Sequence, residues 1–308
     1  MAKRSANRRL LPQKHTPPPG WKNPLAPQQP LTTPGWLVAA AGATLLLALF
    51  CVYITFCLLF WQGQWQLVFH PAKGLTVTPA AAGLRYEEIQ FDATETGVLQ
   101  LHGWWLPAAA PTADTVLLLQ DGNGSLSATV PRLQALVPLG MNVFAFDYRG
   151  FGRSVARHPS EASTTEDADA AWRYLTDTRH VAASAIVLDG VGLGAAIAAE
   201  MARRHPGVRA VILEQPRPPV LDGLQWNAPM RLLPVKLLFH DRFDPRATLA
   251  ALTVPKLFVY DATEKSGLYY NDAAGPKAMA MLPEGDRSPD YVVRLQAFLS
   301  GLRKNDSR

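Results

Sequence analysis

The 308-residue chain reads as an α/β protein, with a mostly parallel central sheet flanked by helices and preceded by one N-terminal transmembrane helix. Three observations predict this class. From Leu37 to Phe60 the chain carries 24 residues without a charge, most of them apolar. Beyond that run, short Val/Leu/Ile-rich stretches alternate with amphipathic stretches of helical length. Glycine-rich turns separate several of these pairs, as in Asp121-Gly122-Asn123-Gly124 and Gly190-Val191-Gly192-Leu193-Gly194. Parallel strands need crossover connections, and helices on both faces leave the strands as continuous apolar runs.

Residues 1–35 contain Lys3, Arg4, Arg8, Arg9, Lys14 and Lys22, eight prolines and no acidic residue. Such a composition cannot bury a core, which predicts a disordered tail. Without these six cations the net charge of +5 falls to about −1, so the rest of the chain is no nucleic-acid-binding surface. The apolar run reaches roughly 36 Å at about 1.5 Å per residue, enough to cross a bilayer. Trp36, Trp61 and Trp65 flank it, as suits the two interfacial belts. No small-x-small pattern follows in Phe60-Trp61-Gln62-Gly63-Gln64-Trp65, so residues 36–61 read as an uncleaved anchor and not as a signal peptide. The basic tail puts the N-terminus in the cytoplasm and the main domain outside, in the periplasm of a Gram-negative host. Cys51 and Cys57 both lie inside the span, where they read as small packing residues, not as a disulfide or metal pair.

Residues 62–83 read as a linker, 84–303 as one domain and 304–308 as a tail. Period-two stretches at 84–91 and 98–106 suggest an antiparallel start to the sheet. Strands follow at 116–119, 141–146, 185–188, 208–213 and 255–260. Helices alternate with them at 126–139, 164–178, 193–204 and 290–302, the second opened by a Ser/Thr cap with Glu166 and Asp167 in its first turn. The proline-rich stretch 215–253 breaks the alternation and is where a small cap would sit, with Phe243-Asp244-Pro245 as its joint to the core. Trp104 and Trp105 are adjacent on a strand, which predicts one ring inward and one outward.

Three motifs, in this order and spacing, resemble the α/β-hydrolase superfamily, specifically its membrane-anchored, single-domain branch similar to serine aminopeptidase-like and monoacylglycerol-lipase-like hydrolases. Leu119-Gln120-Asp121-Gly122-Asn123 stands where those proteins have a strand ending in His-Gly-Asn. Phe146-Asp147-Tyr148-Arg149-Gly150-Phe151-Gly152-Arg153-Ser154 matches their D-Y-R-G-x-G-x-S loop. Gly190-Val191-Gly192-Leu193-Gly194 with its alanine-rich continuation matches the nucleophile elbow, G-x-S-x-G in active enzymes. The resemblance places Gly192 at the serine, Glu264 at the acid and Asp286 at the histidine of the triad. It implies oxyanion-hole donors at the backbone N–H groups of Asn123 and Leu193. Asp121 and Tyr148 are the candidate pocket residues, and a carboxylate at Asp121 pointing inward would repel a developing oxyanion.

The seven histidines end at His240, so none follows Glu264 in any register. The leading expectation is therefore a catalytically silent member of the fold, binding a small molecule or protein partner at its degenerate site. An alternative is an esterase, lipase or peptidase with a displaced nucleophile such as Ser125, served by His102 or His70. A third reading makes Glu264, Asp286 and Asp121 a carboxylate site for a divalent cation. Nothing in the sequence calls for a cofactor or a resident metal.

Overall fold

The computed structural model describes residues 16, 18–24, 34–93, 97–110, 114–224, 228–263, 267–283 and 290–306. The chain divides into two units, Met1–Ile54 and Thr55–Arg308. Helix α1 (Pro34–Gly63) begins in the first and ends in the second. It makes up most of an apolar stretch, Gly35–Leu67, long enough to span a bilayer. Its leucines and phenylalanines before residue 55, among them Leu45, Leu46 and Phe50, are exposed.

In the second unit the end of α1 leaves the pattern of an exposed apolar rod. Cys57 is buried, and Phe60 packs against Phe239 with ring centroids 6.5 Å apart. Trp61 Nε1 donates to His240 Nε2 at 2.6 Å, and Gln64 Nε2 donates to the Leu238 carbonyl at 3.0 Å. The His240 N–H returns a hydrogen bond to Gln64 Oε1 at 2.8 Å. The last turns of the helix thus belong to the folded domain, although composition alone assigns them to the span.

The strands are β1 (His70–Pro71), β2 (Glu87–Asp92), β3 (Leu99–Leu106), β4 (Thr115–Leu119), β5 (Asn123–Gly124), β6 (Asn142–Asp147), β7 (Ile186–Val191), β8 (Ala210–Glu214), β9 (Lys256–Asp261) and β10 (Lys277–Leu282). Eight of them form one sheet in the order β10-β9-β8-β7-β4-β6-β3-β2. Only the β2–β3 and β3–β6 pairings are antiparallel, and those between β4, β6, β7, β8, β9 and β10 are parallel. This is the expected architecture. Between strands lie α2 (Val130–Leu136), α3 (Glu161–Arg173), α4 (Gly194–Arg204), α5 (Val220–Leu224), α6 (Val235–Leu238) and α7 (Arg246–Ala251), and α8 (Asp290–Asp306) follows β10.

One apolar layer joins α3 and α4 to Leu117, Phe144, Leu188, Val211 and Phe258 on one sheet face. A second joins α2 and α8 to Val116, Val143, Val187, Ile212 and Leu257 on the other. Both faces being covered explains a departure from expectation at the tryptophan pair. Trp104 and Trp105 point to opposite faces, yet both are buried, because neither face meets solvent there.

Three further departures have local causes. Helix α3 starts at Glu161, not at 164, because Ser160 forms a capping box with Ser163. Asp167 is then no first-turn residue; it is buried and accepts from the Arg149 side chain and backbone N–H, each at 2.8 Å. Strand β10 is absent from the sequence reading because Lys-Ala-Met-Ala-Met-Leu contains no β-branched residue. As an edge strand it buries Ala280 and Leu282 while Met279 and Met281 remain exposed. Finally, the Asp121–Gly124 turn does not simply turn, since β5 pairs in parallel with β1 through Asn123 and Gly124.

Between β8 and β9 the chain forms no strand among the described residues, only short helices and turns, in the stretch expected to interrupt the alternation. Phe243, in the expected joint, is buried and packs against Phe69 at 5.7 Å between ring centroids.

Candidate functional site

Strand β7 ends at Val191 and α4 begins at Gly194, so Gly192 and Leu193 make the whole connection. The turn is held from the neighbouring strand, where the Gly192 N–H donates to the Glu214 carbonyl at 2.8 Å. Its flanks are packed closely. A β-carbon at Gly190 would meet the Gly194 carbonyl oxygen at 2.3 Å, and one at Gly194 would meet the Leu119 carbonyl oxygen at 2.1 Å. Gly192 itself adopts φ +58°, the left-handed conformation that L side chains disfavour.

What faces Gly192 is the carboxylate of Asp121. A β-carbon at Gly192 would lie 2.7 Å from Asp121 Oδ1 and 2.8 Å from its Cγ. Oδ1 accepts the backbone N–H of Leu193 at 3.1 Å and that of Gly122 at 2.8 Å. Oδ2 accepts the Asn123 side-chain amide at 3.1 Å and Nη2 of Arg217. Arg217 leaves β8 three residues after Glu214, and its carbonyl accepts the Tyr269 hydroxyl at 2.9 Å. Asp121 therefore points inward, the condition on which the sequence argument turned.

The backbone donors to Asp121 are Gly122 and Leu193. Asn123 reaches Asp121 through its side-chain amide, while the β1–β5 pairing is made by the His70 and Ala72 N–H groups donating to the Gly122 and Gly124 carbonyls. Tyr148 is fully buried, its ring edge-on to Phe146 and Phe151, so it packs the core and lines no pocket. Glu264 and Asp286 lie outside the described residues.

Beneath the elbow, on the α2/α8 face, lies a charged cluster that sequence reasoning missed. Arg132 of α2 reaches Asp189 with Nη2 to Oδ2 at 2.6 Å, and its Nη1 donates to Glu214. All three side chains are buried, and the guanidinium carbon stands 5.3 Å from the centre of the Tyr291 ring of α8. Burial pushes the Glu214 carboxyl up to about 7 against the opposing pull of Arg132. The same cause pushes Asp147, the last residue of β6, whose carboxylate lies against Gly152, up to about 6. One clue was available in the sequence: Asp189 interrupts the otherwise apolar Ile186-Val187-Leu188 run.

The displaced-nucleophile residues are not assembled. Ser125 is buried at the start of the 3-10 turn Leu126–Thr129. No hydrogen bond among the described residues joins it to His102 or His70. His102 is buried in β3, with both ring nitrogens lacking a hydrogen-bond partner and its nearest carboxylates, Glu88 and Asp147, at 3.8 and 4.0 Å. Burial holds its pKa below the ordinary histidine value. Among the described residues no group of three His, Cys, Asp or Glu side chains could hold a metal. The Asp121 oxygens are engaged by four N–H donors, which takes Asp121 out of the cation reading.

Comparison with known proteins agrees with this frame. The sequence profile of the serine aminopeptidase family S33 matches residues 111–271, just over half of the chain. An uncharacterized protein of Mycobacterium tuberculosis (strain ATCC 25618 / H37Rv) is 27% identical over 256 residues, which cover 79% of this chain and 87% of that protein. The uncharacterized protein YfhR of Escherichia coli K12 is 27% identical over 221 residues, covering 68% of this chain and 75% of YfhR. An esterase of Pyrococcus furiosus superposes with a TM-score of 0.58 at 19% identity, over 76% of this chain and 97% of the esterase, a likeness of fold.

Proposed function

We propose that this chain, which belongs to the serine aminopeptidase S33 family of α/β hydrolases, has given up covalent hydrolysis and works as a membrane-anchored binding or docking module. The observation that carries this reading is the Asp121 carboxylate seated between the N–H groups of Gly122 and Leu193. Acyl transfer needs a nucleophile at the elbow and a free N–H cradle for the oxyanion that forms. Gly192 offers no nucleophile. The Leu193 N–H is one of the two donors that the resemblance assigns to the oxyanion hole, and it already holds an anion of the chain's own. A second negative charge there meets repulsion in place of stabilisation.

The triad positions tell the same story. The resemblance aligns Glu264 with the acid and Asp286 with the histidine, and on that alignment no imidazole is present to take a nucleophile's proton. In this reading the apolar helix anchors the chain with its basic tail in the cytoplasm, and the elbow region presents a surface to a small molecule or a protein.

The test is chemical. Purified full-length protein is treated with a fluorophosphonate probe and with a panel of short-chain esters and aminoacyl amides. No covalent label and no turnover above the buffer rate is the expected result. Stoichiometric labelling, or turnover abolished by Ser125→Ala, would restore the hydrolase reading.

A further inference from the structure

Directly after α1 the chain forms a cavity of about 690 Å³, lined among others by Trp65, Phe69, His70, Lys73, Arg157 and His158. None of its lining residues carries a carboxylate. The neighbouring arginines are paired: Arg149 with Asp167 and Glu166, Arg153 with Glu88. Arg157, by contrast, has no ion pair or side-chain hydrogen bond among the described residues. Lys73 donates to the Gly150 carbonyl at 2.8 Å, which leaves two of its three N–H groups for another acceptor. The other wall is aromatic. Phe69 is buried, and the rings of Trp65 and His158 lie 4.5 Å apart.

The place of the cavity in the chain supplies the rest of the argument. Trp65 sits in the 3-10 turn Gln64–Leu67, immediately beyond the last residue of α1. If α1 crosses a bilayer, as the proposed function holds, chain continuity puts this residue at the headgroup level. Cations beside an aromatic wall at that level suit a phosphate on one side and a glycerol–acyl junction on the other.

We infer that this cavity binds the headgroup of an anionic phospholipid, with its phosphate at Lys73 and Arg157 and its glycerol–acyl junction against Trp65 and Phe69. The inference rests on the anchor reading of α1. Occupancy would be felt at the degenerate site through short connections. His70 donates its backbone N–H to the Gly122 carbonyl at 2.7 Å, and a β-carbon at Gly122 would meet Phe69 Cδ1 at 3.3 Å.

The full chain is reconstituted in nanodiscs of phosphatidylcholine mixed with phosphatidylglycerol, and lipid that stays bound on release is counted by native mass spectrometry. Two cations facing an anionic headgroup are worth roughly thirtyfold in preference. Phosphatidylglycerol is therefore retained over phosphatidylcholine, and Lys73→Ala/Arg157→Ala brings the ratio near unity. Arg8→Ala/Arg9→Ala, in the tail, leaves it unchanged. A ratio indifferent to Lys73→Ala/Arg157→Ala overturns the inference. So does displacement of the lipid by inorganic phosphate at equal concentration, which would make the free ion the ligand. Co-flotation of the chain with vesicles reports the anchor separately, and the double variant should still float. Should the chain fail to float, the anchor reading falls, and binding of short-chain phosphatidylglycerol to the same two residues in solution decides the cavity on its own.

Discussion

Gly192→Ser is the substitution that would return the family's residue to the elbow, and the structure predicts that it destabilises the protein. Its first effect is on the backbone, because a side chain at φ +58° costs about 1–2 kcal/mol relative to glycine. Its second is on Asp121, whose Oδ1 lies 2.7 Å from the new β-carbon and must move. Leaving the cradle forfeits hydrogen bonds from Leu193 and Gly122 to a charged acceptor, worth about 1.5–3 kcal/mol. The half-exposed Arg217 pair adds no more than about 1 kcal/mol. Gly192→Ser alone should therefore cost about 2.5–6 kcal/mol, and about 1–2 kcal/mol when Asp121→Ala has already emptied the space. Thermal unfolding of the four proteins of this cycle, followed by tryptophan fluorescence in one detergent, measures the difference. At roughly 2–4 °C per kcal/mol, the single variant melts about 5–24 °C lower. The non-additive part of the cycle isolates the contact. Equal losses from Gly192→Ser in both backgrounds would refute the claim that the two positions share one space.

Two further outcomes follow from the buried charges. Burial raises Asp147 to about 6 and Glu214 to about 7, so the folded state keeps protons that the unfolded chain has already released. Their contribution to stability is present in full below the ordinary carboxylate range and is lost as pH rises through about 6 and then 7. The melting temperature should fall between about pH 4 and 7, and Asp147→Asn should remove the part lost by about pH 6; a flat profile there contradicts the burial argument. Arg132→Met strips the countercharge from Asp189 and Glu214, at a cost of about 3–5 kcal/mol. Replacing all three residues by apolar ones of similar volume should recover most of that loss, and wild-type melting of the single variant would show the cluster to be solvated.

The parallel strands were legible because burial on both faces writes them as unbroken apolar runs, Val116-Leu117-Leu118-Leu119 being the clearest. Strand β10 was not, since an edge strand of Ala and Met has neither a β-branched run nor a strong alternation. The elbow was legible through glycines whose packing permits no side chain at Gly190 or Gly194. Asp121 could be named as an obstacle from its position in the motif. Its partners could not, because Arg217 lies 96 residues away and its approach depends on how the segment after β8 folds back. Arg132, Asp189 and Glu214 escaped for the same reason: they come from three separate elements, and only the sheet order brings β7 beside β8.

A buried N–H donor without an acceptor costs about 1–3 kcal/mol. Here that cost does not arise. Asp121 fills the space that glycine leaves at position 192, satisfies Leu193 and Gly122, and is in turn neutralised by Arg217. Each member needs another: the carboxylate needs Gly192 for room, and the cradle needs the carboxylate for an acceptor. In the proposed reading such a group behaves as a stable piece of structure and not as an active site lacking one atom. It also limits what can bind above it. In the proposed reading an incoming ligand would meet the guanidinium of Arg217, which is half exposed and has N–H donors beyond the one given to Asp121. A ligand with an anionic or carbonyl edge can use those donors without displacing Asp121, whereas an ester seeking the hydrolytic position has to break the pair before it can enter.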